Sequence, residues 1–223
     1  MIDQKLLTYL ESFLTDRRRG LNKKVLESRT NYITVAVEDV YQLHNTSAVM
    51  RSCEVFGVQN MHVIEELNKK KIDREIAMGA QKWVDVNRYN TTDQCISDLK
   101  KAGYQIVATT PHEGSIVLNE FTIERPMALF FGTETAGLSD SVLKAADVKL
   151  KIPMVGFTES LNISVSAAII LQQLTSKLRN SAVIDWELTP EEQLIKRMNW
   201  VKQTLKSHEK IAQRYYEELE KEK

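Results

Sequence analysis

The sequence predicts an α/β fold, in which a mainly parallel β-sheet is covered by helices on both of its faces. Short apolar, β-branched runs alternate with longer helix-like runs between about residues 32 and 178. Some of these apolar runs break into a glycine-containing loop and then a helix, as strands of parallel sheets do. No internal repeat or low-complexity linker interrupts the alternation. The segments are therefore expected to form one sheet.

The individual elements follow from where the apolar runs begin and end. Strands are expected at residues 32–37, 61–65, 82–86, 104–108, 127–131 and 148–152. Helices are expected between and after them at residues 45–56, 74–78, 92–102, 139–145 and 161–178. Strands and helices that alternate at these lengths indicate βαβ crossovers, which bury a sheet on both sides.

The two ends of the chain differ from this alternating region. Residues 1–30 predict a short helix at 6–14 followed by a basic connector, with seven Lys and Arg against four Asp and Glu, a local net charge of +3. Residues 181–223 predict a helical extension, because apolar residues from Leu194 to Leu219 follow the 4-3 spacing of a helix seam about thirty residues long. The expected domains are therefore 1–30, 31–180 and 181–223.

Basic residues cluster at both ends, although the chain as a whole is neutral. Lys and Arg number 30, as do Asp and Glu, so any nucleic-acid surface must be local. The connector carries Arg17, Arg18, Arg19, Lys23 and Lys24, and the C-terminal helix carries Lys202, Lys206, Lys210 and Arg214. The sequence leaves open whether either set contacts phosphates or is a solvated helix surface.

Composition and motifs argue against several classes of protein. The chain does not open with a basic segment and a long apolar run, and no run approaches about 18 apolar residues, so neither a signal peptide nor a membrane span is predicted. Cys53 and Cys95 match no metal-ligand spacing and are expected to be reduced thiols, which suits a cytoplasmic protein. The dinucleotide motif G-x-G-x-x-G and the phosphate-loop motif G-x-x-x-x-G-K-[ST] are both missing. With these two motifs excluded, the type of ligand site that the sequence still allows is a pocket built from strand ends, with main-chain groups that face a polar ligand.

Three strand–loop–helix segments hold the candidate functional residues. The first, 43–57, reads LHNTSAVMRSCEVFG. The second, 130–140, reads FFGTETAGLSD. The third, 152–171, begins IPMVGFTESLNIS and continues as a helix of small and apolar residues.

The polar residues of these segments are interpreted from their positions on the predicted helices. Ser160 is expected to cap the helix that follows it, which places Asn162 in the first turn. Asn45 is expected to cap its own helix, with Arg51 nearly two turns further on. An arginine on an apolar helix is usually paired or functional, because an unpaired buried charge is costly. Glu134 could pair with Arg51 or cap the next helix.

In this order and at these separations, the three segments resemble the three motifs of the SpoU/TrmH family of SPOUT-class RNA methyltransferases. The resemblance runs from about residue 32 to residue 178. The second segment reads GTETAG where the family's commonest motif is G-N-E-G-x-G, so the glutamate and both flanking glycines are kept. The resemblance implies a C-terminal trefoil knot, an exception to the rule that protein chains are unknotted.

The resemblance also implies an activity, the transfer of a methyl group from S-adenosylmethionine to a ribose 2′-hydroxyl of RNA, with no metal. The catalytic residues it implies are Arg51, Asn45, Glu134, Ser160 and Asn162. The residues it implies for cofactor binding, largely through backbone groups, are Thr110, Gly132, Ile152 and Leu161. Because arginine ordinarily stays protonated, Arg51 is expected to position the ribose and phosphate and to stabilise the developing alkoxide. The proton is then expected to leave through a water, or through Arg51 if desolvation or the nearby sulfonium allows this residue to act as the base, the role that the resemblance implies for it.

The flanking segments are most similar to those of family members that methylate the D-loop guanosine of tRNA. We therefore expect tRNA as the substrate, with the basic connector binding it. A ribosomal RNA target and a catalytically silent RNA-binding relative are the alternatives, and the complete set of motif residues argues against silence. The family also implies a homodimer, with the helices at 45–56 and 161–178 at the contact.

Overall fold

The structure is a computed structural model that describes residues 2–40, 43–66, 79–134 and 136–221. The chain divides into two compact units. Thr30–Trp186 forms the larger, which we call the sheet unit. Met1–Arg29 and Glu187–Lys223 together form the smaller, which we call the terminal unit. In neither unit do the described residues include a helix long and apolar enough to cross a membrane.

The helices and strands alternate through the sheet unit, and helices alone make up the terminal unit. The helices are α1 Gln4–Ser12, α2 Asp16–Leu26, α3 Leu43–Val55, α4 Thr92–Lys101, α5 Asp140–Ala145, α6 Ile163–Arg179, α7 Pro190–Thr204 and α8 His208–Lys221. The strands are β1 Ile33–Glu38, β2 Asn60–Ile64, β3 Asp85–Tyr89, β4 Gln105–Thr109, β5 Ile116–Val117, β6 Met127–Phe131 and β7 Val148–Lys151.

The seven described strands form one sheet in the order β3-β2-β1-β6-β4-β7-β5. Every neighbouring pair is parallel. In the centre, Val35 of β1 lies opposite Met61 of β2 and Leu129 of β6. The predicted parallel α/β fold is therefore confirmed, and the carboxyl ends of all its strands meet at one edge.

Different helices cover the two faces of the sheet. Neighbouring residues of β1, such as Val35 and Ala36, point into opposite apolar layers. The Val35 layer packs against α3 and α6, and the Ala36 layer packs against α4 and α5. Cys53 and Cys95 are buried and form no disulfide, one lying in each layer. Burial raises the pKa of Cys95 to about 12, so this thiol is a protonated packing group at neutral pH.

Several element boundaries differ from the prediction. β6 has the predicted bounds, but β3 begins at Asp85, because Gly79 at φ 87° leads into a 3₁₀ turn over Ala80–Lys82. The two-residue edge strand β5 was not predicted, since two residues carry no periodic signal. The helix predicted at 74–78 lies outside the described residues. The trefoil knot remains a prediction.

The terminal unit packs helices from the two ends of the chain against each other. Leu7 and Leu10 of α1 share an apolar core with Val201 of α7 and with α8. The Arg197 guanidinium donates to both carboxylate oxygens of Glu11, at 2.9 and 2.6 Å, and so joins α7 to α1. Such a two-bond arrangement is geometrically specific.

The segment predicted as a basic connector is the helix α2. The Thr15 hydroxyl caps it by accepting from the Arg18 amide at 3.2 Å. Asp16 lies in the first turn and Lys23 and Lys24 in the last, which suits the helix dipole. Because only Leu26 of this helix is buried, the apolar periodicity that identifies most helices is missing.

The C-terminal extension is two helices, so the prediction of one long helix was wrong. Leu205 is extended, at φ −89° and ψ 103°, and separates α7 from α8. Ser207 directly precedes α8, where serine is favoured. The apolar spacing continues across the break, so periodicity alone could not reveal it. The basic residues at 202, 206, 210 and 214 therefore do not form one continuous ridge.

Candidate active site

A cavity of about 400 Å³ opens at the carboxyl edge of the sheet, where β4, β6 and β7 end. Its wall includes residues 109–112 after β4, 131–134 and 136–138 after β6, 150–152 after β7, 159–161, and Ile163, Ser166 and Ile170 of α6. Ligands of open parallel sheets bind at this edge. The volume is in the range of small-molecule sites.

The turn between β6 and α5 forms the most closely packed part of this wall. Thr133 and Gly137 exchange two backbone hydrogen bonds of 2.9 Å, and Gly137 has φ 70°. A Cβ atom on Gly132 would overlap the Gly137 carbonyl and lie 2.5 Å from the Leu138 nitrogen. Residue 132 must therefore be glycine for the turn to close. A closed turn presents its backbone groups to the cavity in fixed positions.

A carboxylate–amide network joins the three sequence segments beside the cavity. The Asn45 Nδ2 of α3 donates to Glu134 Oε1 at 3.1 Å. The Asn162 Nδ2 donates to that same oxygen and, at 3.1 Å, to Asn45 Oδ1. Within the described residues Glu134 Oε2 accepts no hydrogen bond, and Glu134 lines the cavity. The network thus holds one carboxylate oxygen and leaves the other available to a substrate.

Two of the predicted helix caps were wrong, and the network accounts for both. Asn162 rather than Ser160 is the N-cap of α6, because its Oδ1 accepts from the Ser164 amide at 2.8 Å. Ser160 lines the cavity instead. Asn45 lies inside α3, which begins at Leu43, and its amide group bonds to Glu134. Serine and asparagine are similarly good caps, so the sequence could not choose between them.

Arg51 lies outside this network. Its side chain is exposed on α3 and does not line the cavity. It forms no hydrogen bond or ion pair with any described residue. The predicted pairing of Arg51 with Glu134 is therefore not formed. Glu134 does not cap α5 either, since Ser139 does so through its own side chain.

The four residues predicted to contact the cofactor, Thr110, Gly132, Ile152 and Leu161, all line the cavity. Their role in binding remains a prediction. Four titratable wall residues were missed, namely His112, Asp140, Lys151 and Glu159. Their positions at or after strand ends were the signal that could have identified them. In the described ranges no group of three or more His, Cys, Asp or Glu is placed to hold a metal ion.

The residues predicted to bind RNA lie on α2 of the terminal unit. Arg17, Lys23 and Lys24 are exposed, whereas Arg18 is half-buried. The Arg19 guanidinium donates to the Asp16 carboxylate and, at 3.3 Å, to the Glu11 carbonyl. Arg19 is exposed as well but partly engaged by these neighbouring residues, whereas Arg17, Lys23 and Lys24 are open to solvent.

Comparison with known proteins identifies relatives that match most of the chain. The chain is 42% identical, over 93% of its length and 94% of the relative, to the tRNA (guanosine(18)-2′-O)-methyltransferase of Borreliella burgdorferi. It is 34% identical to the enzyme of that name from Thermus thermophilus, over 78% of this chain and 92% of the relative.

Solved structures agree with these relatives. The crystal structure of the A. aeolicus TrmH/SpoU tRNA modifying enzyme is 31% identical, with a TM-score of 0.77 over 85% of this chain and 98% of that one. An AdoMet-bound rRNA methyltransferase from Sinorhizobium meliloti is 25% identical, with a TM-score of 0.61 over 71% of this chain and 60% of that one. The model of the SpoU rRNA Methylase family matches residues 32–172. The chain therefore belongs to the SpoU methylase family.

Proposed function

We propose that this protein transfers a methyl group from S-adenosylmethionine to the ribose 2′-hydroxyl of guanosine 18 in the D-loop of tRNA. The observation that carries the proposal is the cavity at the carboxyl edge of the sheet, with Glu134 on its wall held by the amides of Asn45 and Asn162 beside it. The relatives that match 93% and 78% of the chain are both named for this reaction, which favours tRNA over ribosomal RNA.

The chemistry of the cavity wall suits the cofactor. S-adenosylmethionine is cationic overall, since its sulfonium and ammonium groups outweigh its carboxylate. The wall carries three carboxylates, those of Glu134, Asp140 and Glu159, against the ammonium of Lys151. Apolar wall residues suit an adenine ring, namely Leu138, Leu150, Ile152, Ile163 and Ile170. When bound, the cofactor supplies an activated methyl group.

Residues of the chain itself are assigned the other roles in the reaction. Thr110, Gly132, Ile152 and Leu161, which line the cavity, would hold the cofactor largely through backbone groups, and Ser160 would contribute a hydroxyl at the wall. The network of Asn45, Asn162 and Glu134 fixes one acceptor oxygen where the RNA reaches the cavity. Arg51 binds the phosphate or ribose and stabilises the developing alkoxide. Positioning and preorganised charge of this kind lower barriers by several kcal/mol.

Methyl transfer to a tRNA transcript tests this proposal. We expect the purified protein to place labelled methyl groups from S-adenosylmethionine on the ribose of guanosine 18. The matched control is the same transcript with 2′-deoxyguanosine at position 18, which lacks the nucleophile and should accept none. Methylation of a base, or of ribosomal RNA in preference to tRNA, would contradict the assignment.

We also propose a homodimer formed through α3 and α6 of the sheet unit. These two helices pack together. Their exposed apolar side chains include Val55 of α3, at 63% exposure, and Val165 and Ile169 of α6, at 45% and 38%. Val165 and Ile169 are four residues apart and therefore lie on one helix face. An exposed apolar face on these two helices supports the proposed contact.

Light scattering at micromolar concentration is expected to give about 51 kDa, twice the 25.6 kDa of one chain. The double change Val165→Glu and Ile169→Glu should give a monomer, because it puts charges into an apolar contact. Val183→Glu is the matched control, since Val183 is 93% exposed outside both helices. A wild-type monomer, or dissociation caused equally by the control, would rule out this interface.

RNA capture is assigned to the cations of α2. Changing Lys23 and Lys24 to Gln should weaken tRNA binding and reduce the slope of log affinity against log salt by up to about 0.9 for each phosphate that the protein no longer neutralises. Lys100 and Lys101 provide a matched control, because they form an exposed pair in the last turn of α4 as Lys23 and Lys24 do in α2. An unchanged slope in the α2 variant, or equal effects in both variants, would place the RNA surface elsewhere.

A further inference from the structure

Glu38, the last residue of β1, is a buried carboxylate that joins two helix starts. It is only 4% exposed. Its Oε1 accepts from the Thr92 hydroxyl at 2.7 Å and from the Ser139 hydroxyl at 2.6 Å. Its Oε2 accepts from the Ser139 backbone amide at 2.8 Å. Both carboxylate oxygens are thus occupied, and Glu38 itself does not line the cavity.

Burying a carboxylate is costly unless hydrogen bonds replace its hydration. In the part of the chain that the structure describes, no Lys, Arg or His forms an ion pair with Glu38. Three donors from Thr92 and Ser139 therefore supply the compensation. Conversely, the positions of these donors depend on their hydrogen bonds to Glu38, and two of the three donors belong to Ser139. The carboxylate thus determines chiefly where Ser139 lies.

Ser139 ends the turn that forms the cavity wall. Gly137 and Leu138, which directly precede it, line the cavity, as does Asp140, which follows it. The start of the same turn is fixed by β6 and by the close approach of Gly132 to Gly137. A turn with one fixed end can pivot, whereas fixing both ends sets the directions of its backbone groups. Glu38 supplies the second anchor.

We propose that Glu38 is a positioning residue for the cofactor cavity, acting through Ser139 on the backbone of Gly137 and Leu138. This inference rests on the proposed function, since it identifies the cavity as the cofactor site. Glu38 touches no reacting group, so it should determine cofactor affinity and not the rate of the chemical step at saturating cofactor.

Calorimetry with S-adenosylhomocysteine in the presence of EDTA measures the effect on affinity. Glu38→Ala is expected to raise Kd about tenfold, which corresponds to about 1.4 kcal/mol at 25 °C, and to raise KM for S-adenosylmethionine similarly while kcat stays within about twofold. Glu38→Gln should stay within about threefold of wild type. The glutamine oxygen can accept from the Ser139 amide, and its NH₂ can donate to the two hydroxyls, which also accept.

Thr92→Val is the matched control for the removal of one hydrogen bond to the same carboxylate. It removes the α4 hydrogen bond and leaves both hydrogen bonds from Ser139, so cofactor affinity should not change even if the melting temperature falls. If Glu38→Ala fails to fold, Ser139→Ala provides the second variant. It removes the hydroxyl donor to Glu38 together with the side-chain cap of α5, and should weaken cofactor binding.

Amide hydrogen exchange in the cofactor-free protein gives a readout that does not depend on the proposed function. Exchange at Leu138 and Ser139 should be faster in Glu38→Ala than in Thr92→Val. If wild-type protein binds no S-adenosylhomocysteine, the proposed function fails. The hydrogen-exchange measurement still tests whether Glu38 holds the turn at Ser139 in place. Unchanged affinity and unchanged exchange in Glu38→Ala, or an equal loss of affinity in Thr92→Val, would overturn the inference.

Discussion

Replacing Arg51 with alanine is expected to reduce methyl transfer to tRNA by roughly 100- to 1000-fold. Its guanidinium is exposed, outside the cavity wall and without a partner among the described residues. A group placed in this way can act on the RNA and on charge that develops at the ribose oxygen. The loss should appear in kcat, because the interaction is made in the transition state.

Cofactor affinity and the melting temperature serve as controls for this variant. Cofactor affinity should change by only a small factor and the melting temperature should stay close to that of the wild type, because Arg51 forms no hydrogen bond or ion pair with the described residues. Arg51→Lys keeps the charge but loses the planar, two-donor geometry, so we expect partial activity. A parallel loss of S-adenosylhomocysteine binding in Arg51→Ala would mean that the residue maintains the site structurally.

Replacing Gly132 with alanine is expected to abolish cofactor binding. The added Cβ would overlap the Gly137 carbonyl and lie 2.5 Å from the Leu138 nitrogen. Both neighbours are backbone atoms, so no side-chain rotation can relieve the overlap, and the turn must open. Overpacking of this kind costs about 1–3 kcal/mol of stability in addition. Calorimetry with S-adenosylhomocysteine and thermal unfolding measure the two effects.

Gly137→Ala is the matched control in the same turn. Gly137 has a positive φ of 70° but nothing within 4 Å of its added Cβ, so alanine there costs only backbone strain, about 1–2 kcal/mol. Binding should weaken far less than in Gly132→Ala. Equal effects in the two variants would show that the turn's flexibility, and not the close approach at Gly132, governs the site.

The sequence was sufficient to predict the parallel α/β sheet and several residues that line one cavity at its carboxyl edge. The apolar runs at β1, β4 and β6 predicted the parallel sheet, because buried strands between helices have a composition that few other structures share. The wall residues Thr110, Gly132 and Ile152 followed from the resemblance to a known family. They also lie at or just past strand ends, where the topology of such sheets places a ligand.

Contacts between distant segments could not be predicted in the same way. Glu38 binds Thr92 and Ser139, which are 54 and 101 residues away in the chain. The residues next to Glu38 in the sequence indicate only that a strand ends there, so they do not identify its hydrogen-bond partners. The same limit applies to Glu134, which could have paired with Arg51 on charge alone but binds Asn45 and Asn162. Side chains that form such hydrogen bonds follow no regular spacing in the sequence, so the spacing cannot identify the partners.

The terminal unit has a consequence for the order in which the chain can fold. Its core needs Leu7 and Leu10 from the beginning of the chain and Val201 and Tyr215 from its end. During synthesis, α1 and α2 are made before α7 and α8, so the apolar side chains of α1 cannot be buried in this core until α7 and α8 have been made. In the sequence, the sheet unit, Thr30–Trp186, comes between these two pairs of helices, so it can complete its own core earlier. The basic helix α2 thus gains its contacts with α7 only after the sheet unit has been made, and a nascent chain that lacks α7 and α8 exposes the apolar residues of α1.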